Sequence, residues 1–290
     1  MNDSPVLTPE FCERGYNNRA AVPDHADYFR RWADDSAEVR AQLACEIDLR
    51  YGARPKETMD LFPAGGARGL LVFIHGGYWR ALDKSDHSFV VRPFVAAGYD
   101  AACLNYDLCP SVDIATIVDE CRNAIAWLVQ HGAEHRVASK NMVISGHSAG
   151  GHLAAMMHAT DWRARDVDSG AIRGGVSISG VFDLEPLIHT SMNLDLRLSP
   201  ASAAAVSPVR MQPALAVPFL LAVGSIETSE FLRQSQLLWE AWPGVRPAGD
   251  NGPVLLDGHH HFSAVDYLAD SGDRLYRETV RLFDPATAAA

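Results

Sequence analysis

The sequence has a deficit of basic residues, since 25 lysines and arginines against 36 aspartates and glutamates give a net charge of −11. Such a chain is not expected to present the basic surface that binds nucleic acid or an anionic membrane. No run of apolar residues reaches the length of a transmembrane helix. The first ten residues also lack the basic and apolar regions of a signal peptide.

Cysteine is scarce as well, because the five cysteines are odd in number and include no C-x-x-C pair. A disulfide framework is therefore not expected, and reduced thiols in a cytoplasmic protein are the simplest interpretation. No repeat, low-complexity tract or linker divides the chain. We expect residues 1–290 to form a single domain, with a helical segment over residues 1–50 and a proline-containing lid at about residues 184–218. The sequence leaves open whether the protein forms a homodimer.

What the sequence does contain is an alternation of buried strands and helices. Continuous apolar runs predict strands at residues 69–75, 100–106, 141–145, 174–179, 219–223 and 253–256. Helical patterns predict helices at residues 24–44, 87–97, 114–131 and 271–283. This order predicts an α/β fold, a doubly wound and mostly parallel sheet with helices on both faces. Ligands of such sheets bind at the carboxyl ends of the strands.

A sharp turn follows the strand predicted at residues 141–145. Its sequence is G-H-S-A-G, from Gly146 to Gly150, and helix-forming residues come next. A strand, a turn with a central serine and a helix are typical of the nucleophile elbow of α/β-hydrolases, in which close packing requires the flanking glycines. We therefore predict that Ser148 is a nucleophile. His147 occupies the variable position of the elbow and is not expected to be catalytic.

A serine nucleophile needs hydrogen-bond donors for the oxyanion that forms when it attacks a carbonyl group. The sequence H-G-G-Y-W at residues 75–79 directly follows the first central strand, where α/β-hydrolases place such donors. We predict that the backbone N–H group of Gly76 or Gly77 contributes to an oxyanion hole. The N–H group of Ala149, in the elbow, is predicted to complete it.

The general base is expected on a late loop, where His259, His260 and His261 are adjacent. Neighbours in sequence point in different directions and lack the spacing of metal ligands, so we expect neither a metal nor another cofactor. One of the three histidines is predicted to be the base, and their spacing alone does not choose among them. The orienting carboxylate is expected after a late strand. Glu227 is favoured for this role, and Asp183 is the alternative.

Together these residues resemble the arylformamidase, or kynurenine formamidase, branch of the α/β-hydrolases, which is close to the hormone-sensitive-lipase-like esterases. The motifs that carry the resemblance are Y-N-N-R at 16–19, H-G-G-Y-W at 75–79, G-H-S-A-G-G-H-L at 146–153, G-S-I-E-T-S-E-F at 224–231 and H-F at 261–262. The resemblance implies that His261 is the base, because the family's histidine directly precedes a phenylalanine, and that Glu227 is the acid. The animal enzymes have aspartate in place of Glu227, and the lipases have a third glycine in place of Tyr78.

The resemblance implies a cofactor-free serine hydrolase that cleaves a small N-formyl aryl amide, with N-formyl-L-kynurenine as the best-known substrate of the family. A carboxylesterase or thioesterase for short acyl esters is the alternative. A non-catalytic binding protein is disfavoured, because a serine, a histidine and a carboxylate are all present. Tyr78, Trp79 and Phe182 are expected to line an aromatic substrate pocket, although Trp79 would equally suit packing against the sheet edge.

Overall fold

Eight strands form one sheet in the computed structural model, which describes residues 7–65 and 68–284. The strands are β1 (Glu46–Arg50), β2 (Thr58–Phe62), β3 (Leu70–Ile74), β4 (Asp100–Leu104), β5 (Met142–His147), β6 (Ile172–Ile178), β7 (Phe219–Gly224) and β8 (Val254–Leu256). Their order across the sheet is β1-β2-β4-β3-β5-β6-β7-β8. Strands β3 to β8 pair in parallel, whereas β1 and β2 pair antiparallel. The predicted fold class is therefore confirmed.

Helices connect these strands. Within the described residues the α-helices are α1 (Pro9–Tyr16), α2 (Asn18–Ala21), α3 (His25–Gln42), α4 (Arg92–Ala96), α5 (Ile114–His131), α6 (Ala149–His158), α7 (Asn193–Leu196), α8 (Pro200–Ala205), α9 (Ser229–Ala241), α10 (Asp266–Ala269) and α11 (Arg274–Arg281). Short 3-10 helices cover Lys84–Asp86, Ser88–Val91, Gly132–His135, Arg163–Arg165, Ser169–Ala171, Glu185–His189, Pro208–Arg210 and Pro243–Val245.

The central strands form where the sequence is apolar on both faces. In β3, Leu70, Val72 and Ile74 join one core, which also contains residues of α5, α6 and α9. Leu71 and Phe73 join the other core, with residues of α3, α4 and α11. Successive side chains of a strand point to opposite faces, so a strand covered by helices on both sides needs a continuous apolar run.

Two predicted helices differ from the observed ones. The helix expected at residues 87–97 is divided into a 3-10 helix and the short α4, because Pro93 has no N–H group to continue a helix through it. The last helix begins at Arg274 rather than at residue 271. The segment at residues 184–218 consists of two short α-helices between two 3-10 helices, three of which carry proline in their first turn. Its function as a lid stays a prediction, as does the division into domains.

Residues 1–6 hold most of the stretch for which no signal peptide is expected, and they lie outside the described residues. In the part of the chain that is described, no helix has the length and apolar character needed to cross a membrane. All five cysteines lie in that part, and their thiols are unpaired.

The two antiparallel strands were not predicted, because neither has a continuous apolar run. Asp60 lies in the middle of β2 and is buried, with its side chain 1% exposed. The ammonium group of Lys84, itself 5% exposed, lies 2.6 Å from Asp60 and 2.8 Å from Asp48 of β1. A buried carboxylate is tolerated only when it is paired, so Lys84 allows Asp60 to occupy the sheet.

We predict that Lys84→Met destabilises the protein by about 3–5 kcal/mol, because it leaves the charge of Asp60 buried without a partner. The double variant Asp60→Leu/Lys84→Met removes both charges and is expected to recover most of this loss. Urea unfolding measures both effects. The matched control is Arg92→Met, which breaks the exposed Arg92–Glu38 pair and should cost less than about 1 kcal/mol. Equal losses for Lys84→Met and Arg92→Met would contradict the argument.

Candidate active site

Ser148 lies between the end of β5 and the start of α6, in a strained backbone conformation. Its φ of 58° and ψ of −118° fall in a region that residues with a side chain rarely adopt. The turn is held by close packing against β3, because a Cβ atom at Gly150 would lie 1.9 Å from the carbonyl oxygen of Ile74. The N–H group of Ser148 also donates to the carbonyl oxygen of Ile178 at the end of β6, at 2.8 Å. These contacts fix the position of the serine hydroxyl.

The structure brings His261 and Glu227 to this serine. The Nε2 atom of His261 lies 3.0 Å from Ser148 Oγ, and its Nδ1 atom lies 2.8 Å from Glu227 Oε2. All three residues are at least nine-tenths buried. With a proton on Nδ1, His261 donates to the carboxylate and leaves Nε2 free to accept from the serine hydroxyl. This is the geometry of a nucleophile, a base and an orienting acid.

The carboxylate of Glu227 is bonded through both oxygens. Oε1 accepts from the N–H group of Gly224, at 2.8 Å, and from the hydroxyl of Ser179, while Oε2 accepts from His261. Asp183, the alternative acid, makes no contact with a histidine. Its carboxylate accepts from the N–H group of Glu185 and lies 3.8 Å from Arg210. Sequence reasoning missed Ser179, because nothing in the apolar run that ends at this residue distinguishes the serine.

The other two histidines of the late loop point elsewhere. His259 bonds the carbonyl oxygen of Ser263, at 3.1 Å, and His260 bonds the hydroxyl of Tyr28, also at 3.1 Å. Among the residues that the structure describes, no cluster of three or more histidine, cysteine or acidic side chains could hold a metal ion. Only His261 of the three therefore contacts Ser148.

Backbone N–H groups lie beside the serine on two sides. Gly77 has a φ of 102°, and a Cβ atom there would lie 2.1 Å from the carbonyl oxygen of Ala81, so the loop requires glycine. A Cβ atom at Gly76 would lie 3.1 Å from that of Ser148. Within the described chain, the N–H groups of Gly76 and Gly77 donate to no other group. Ala149 is the first residue of α6, so its N–H group has no acceptor within the helix.

His147 makes a contact that its variable position in the elbow does not suggest. Its Nε2–H group donates to the backbone carbonyl oxygen of His261, at 2.8 Å, and the centroids of the two rings are 4.8 Å apart. Burial and the neighbouring His261 hold the pKa of His147 well below its ordinary value, so the ring is neutral. His147 therefore ties the loop of His261 to the elbow of Ser148.

An aromatic cavity opens above Ser148 and His261, with about 620 Å³ of empty space when its open mouth is included. Tyr78 lines this cavity as expected. Trp79 and Phe182 do not, which corrects the prediction: both side chains are fully buried in the core, and the Trp79 ring packs edge-on against His152 at 4.9 Å. Sequence periodicity places a bulky apolar residue inside the protein, but it does not say whether that residue faces a cavity or the core.

The remaining aromatic wall comes from the N-terminal segment and from the histidine loop. Its rings are those of Tyr16, Phe29, Trp32 and Phe262. The Y-N-N-R and H-F motifs were the available signals for this wall, since Tyr16 belongs to the first and Phe262 to the second. The backbone carbonyl oxygen of Tyr16 accepts from the Tyr78 hydroxyl, at 2.6 Å, which joins the N-terminal segment to the loop of Gly76 and Gly77.

Comparisons with known proteins agree with this geometry. The sequence model of the BD-FAE family matches residues 60–241. The kynurenine formamidase of Danio rerio is 30% identical over 234 residues, which cover 77% of each chain. That of Drosophila melanogaster is 30% identical over 262 residues, which cover 86% of this chain and 85% of the relative.

Two solved structures extend the comparison. A provisionally assigned thioesterase from Silicibacter sp. TM1040 is 35% identical, with a TM-score of 0.82, and the match covers 91% of this chain and 97% of the other. Esterase B from Lactobacillus rhamnosis, at 19% identity and a TM-score of 0.65, covers 91% and 96% and shares the fold. The chain therefore belongs to the BD-FAE family and is a serine hydrolase of the arylformamidase-like group of α/β-hydrolases, as its motifs predicted.

Proposed function

We propose that this enzyme hydrolyses a small N-formyl aryl amide, with N-formyl-L-kynurenine as the substrate that its relatives suggest, to formate and an aryl amine. The observation that carries the proposal is the hydrogen-bonded chain from Ser148 through His261 to Glu227 at the base of an aromatic cavity. Formamidases of this name cover most of the chain at 30% identity. The aromatic wall suits an aryl group beside the scissile bond.

The proposed reaction begins when Ser148 Oγ attacks the formyl carbon and passes its proton to His261 Nε2. Glu227 stabilises the imidazolium that forms and holds the ring in the correct orientation. His261 then protonates the nitrogen of the leaving aryl amine, which departs and leaves a formyl ester on Ser148. Water activated by His261 attacks this ester, so that formate leaves and the serine is restored.

The developing oxyanion would be bound by the N–H group of Ala149 together with that of Gly76 or Gly77. In the described chain the N–H groups of Gly76 and Gly77 donate to no other group, and that of Ala149 has no acceptor within α6 because it is the first residue of the helix. Each such donor typically contributes about 10²- to 10³-fold in rate. The proposed chemistry needs no metal or cofactor, because every proton transfer has a side chain to carry it out.

A short-chain esterase or thioesterase is the second candidate. It is favoured by the 35% identity to the provisionally assigned thioesterase, since that structure covers nearly the whole chain.

Five unpaired thiols suit a reducing cytoplasm, which we propose as the location.

We predict that Ser148→Ala and His261→Ala each lower kcat by roughly 10⁴-fold or more, because the attacking group and its base act as one unit. Ser148→Ala is also expected to abolish labelling by a fluorophosphonate. His259→Ala and His260→Ala serve as controls and should stay close to wild type, because their rings contact Ser263 and Tyr28 rather than Ser148. Labelling that persists at another serine would contradict the assignment of Ser148.

The acid is tested by a matched pair of variants. Glu227→Gln should lower kcat by roughly 10²- to 10⁴-fold with little loss of stability, because an amide retains the shape but no longer stabilises the imidazolium. Asp183→Asn should turn over at nearly the wild-type rate, since its carboxylate faces Arg210. A larger loss for Asp183→Asn than for Glu227→Gln would overturn the assignment.

His147 offers a subtler test. His147→Leu removes the hydrogen bond to the carbonyl oxygen of His261 and is expected to lower kcat about tenfold, because the loop that carries the base is held less firmly. His147→Gln retains a donor and should recover part of the loss. The control is His158→Leu. His158 lies at the other end of α6, and its Nε2–H group donates a similar hydrogen bond to the carbonyl oxygen of Val217. His158→Leu should lower the melting temperature without lowering kcat. Equal losses of kcat in His147→Leu and His158→Leu would contradict a positioning role for His147.

The substrate is tested by comparing kcat/KM for N-formyl-L-kynurenine, 4-nitrophenyl acetate and a short acyl thioester with one preparation of the enzyme. The proposal predicts that the formamide has the highest value. The esterase or thioesterase candidate is supported instead if the formamide is turned over at least tenfold less efficiently than one of the other two.

A further inference from the structure

Two arginines line the cavity above Ser148 in an otherwise acidic protein. Arg19 and Arg80 contribute to its wall, and none of the described residues that line it is an aspartate or a glutamate. The whole chain has a net charge of −11. The cavity lining therefore offers two cationic side chains and no carboxylate, which favours an anionic ligand over a cationic one.

The two arginines differ in their surroundings. The guanidinium group of Arg80 lies 2.6 Å from the carboxylate of Asp195, so much of its charge is already compensated. Arg19 forms no ion pair with any carboxylate in residues 7–65 or 68–284. Its guanidinium lies 5.4 Å from the ring centroid of Phe29, which also lines the cavity. Arg19 is thus an exposed cation beside the aromatic wall, with no ion pair among the described residues.

Asn18, the neighbour of Arg19, supplies a second and independent observation. The residue lines the cavity and is 4% exposed, and its buried Nδ2 atom has no hydrogen-bond partner in the described structure. By contrast, Asn17 is satisfied, since it donates to Glu13 at 2.9 Å and accepts from the N–H group of Ala20 at 3.1 Å. A buried donor without a partner costs about 1–3 kcal/mol, so a ligand oxygen at Asn18 would relieve that cost.

We propose that Arg19 and Asn18 form a subsite for a carboxylate carried by the aryl substrate. The planar guanidinium matches the two oxygens of a carboxylate, and the Asn18 amide supplies a further donor. The preferred substrates are then aryl formamides or esters with an anionic carboxylate, rather than neutral aryl esters. This inference rests on the proposed function only in taking Ser148 as the position of the scissile carbonyl.

Two esters that differ mainly in charge test the subsite. 4-Acetoxybenzoate and 4-acetoxybenzamide share the scissile bond and a similar size, but only the first carries a carboxylate. The wild-type enzyme is expected to have a higher kcat/KM for the benzoate. Arg19→Gln and Asn18→Leu should each reduce the benzoate-to-benzamide ratio about tenfold, mainly through KM of the benzoate. Added NaCl should lower the ratio of the wild type and have less effect on that of Arg19→Gln.

The control is Arg14→Gln, which removes an exposed arginine of α1 that does not line the cavity. It should leave the ratio unchanged. A ratio that is the same in Arg19→Gln as in the wild type overturns the subsite, whatever the natural substrate is. The same variants are then assayed with N-formyl-L-kynurenine, whose carboxylate belongs to an amino-acid group rather than to the ring. If this formamide is not cleaved while the ester ratio still falls in Arg19→Gln, the proposed function fails and the subsite stands.

Discussion

The close approach of the turn after β5 to the end of β3 is the constraint on which the site depends. Because Gly150 packs directly against the carbonyl group of Ile74, the chain must turn sharply at Ser148 and adopts a positive φ there. The same approach brings the loop after β3, with Gly76 and Gly77, beside the serine. One packing contact between two parallel strands therefore positions both the hydroxyl and the backbone donors nearest to it.

His261 and Glu227, the proposed base and acid, are held by a second group of contacts, centred on α9. Glu227 lies just before this helix, and the ring of Phe231 within it packs 4.5 Å from that of His261. The same helix anchors the N-terminal segment, because the Tyr16 hydroxyl donates to Glu230 at 2.9 Å and accepts from Gln234 at 2.7 Å. Burial raises the pKa of Tyr16 far above its ordinary value, so this hydroxyl keeps its proton and remains a donor. Helix α9 therefore supports both Tyr16 of the cavity wall and Glu227.

The sequence was sufficient for the parts of the fold that follow from local pattern. Strands such as β3 and β7 were predicted because both of their faces are buried, which requires an uninterrupted apolar run. Strand β2 was missed because Asp60 interrupts its pattern, and that interruption is tolerated only through Lys84, which is distant in sequence.

At the site, motifs indicated Ser148 and Glu227, while the choice of His261 over its two neighbours depended on the family resemblance. The contacts of His147 and Ser179 involve a backbone carbonyl group and a carboxylate from other parts of the chain, so no local pattern reveals them.

The family match covers only part of the proposed site. Residues 60–241 include the loop of Gly76, the elbow of Ser148 and the proposed acid Glu227, but the proposed base His261 lies beyond them. They exclude Asn18, Arg19 and the rings of Phe29 and Trp32, all of which line the cavity. The matched segment therefore holds two of the three proposed reacting groups, whereas His261 and part of the cavity wall lie outside it. We expect the choice between formamide and ester substrates to be determined mainly by the N-terminal segment, because the proposed chemistry of Ser148, His261 and Glu227 suits both bonds.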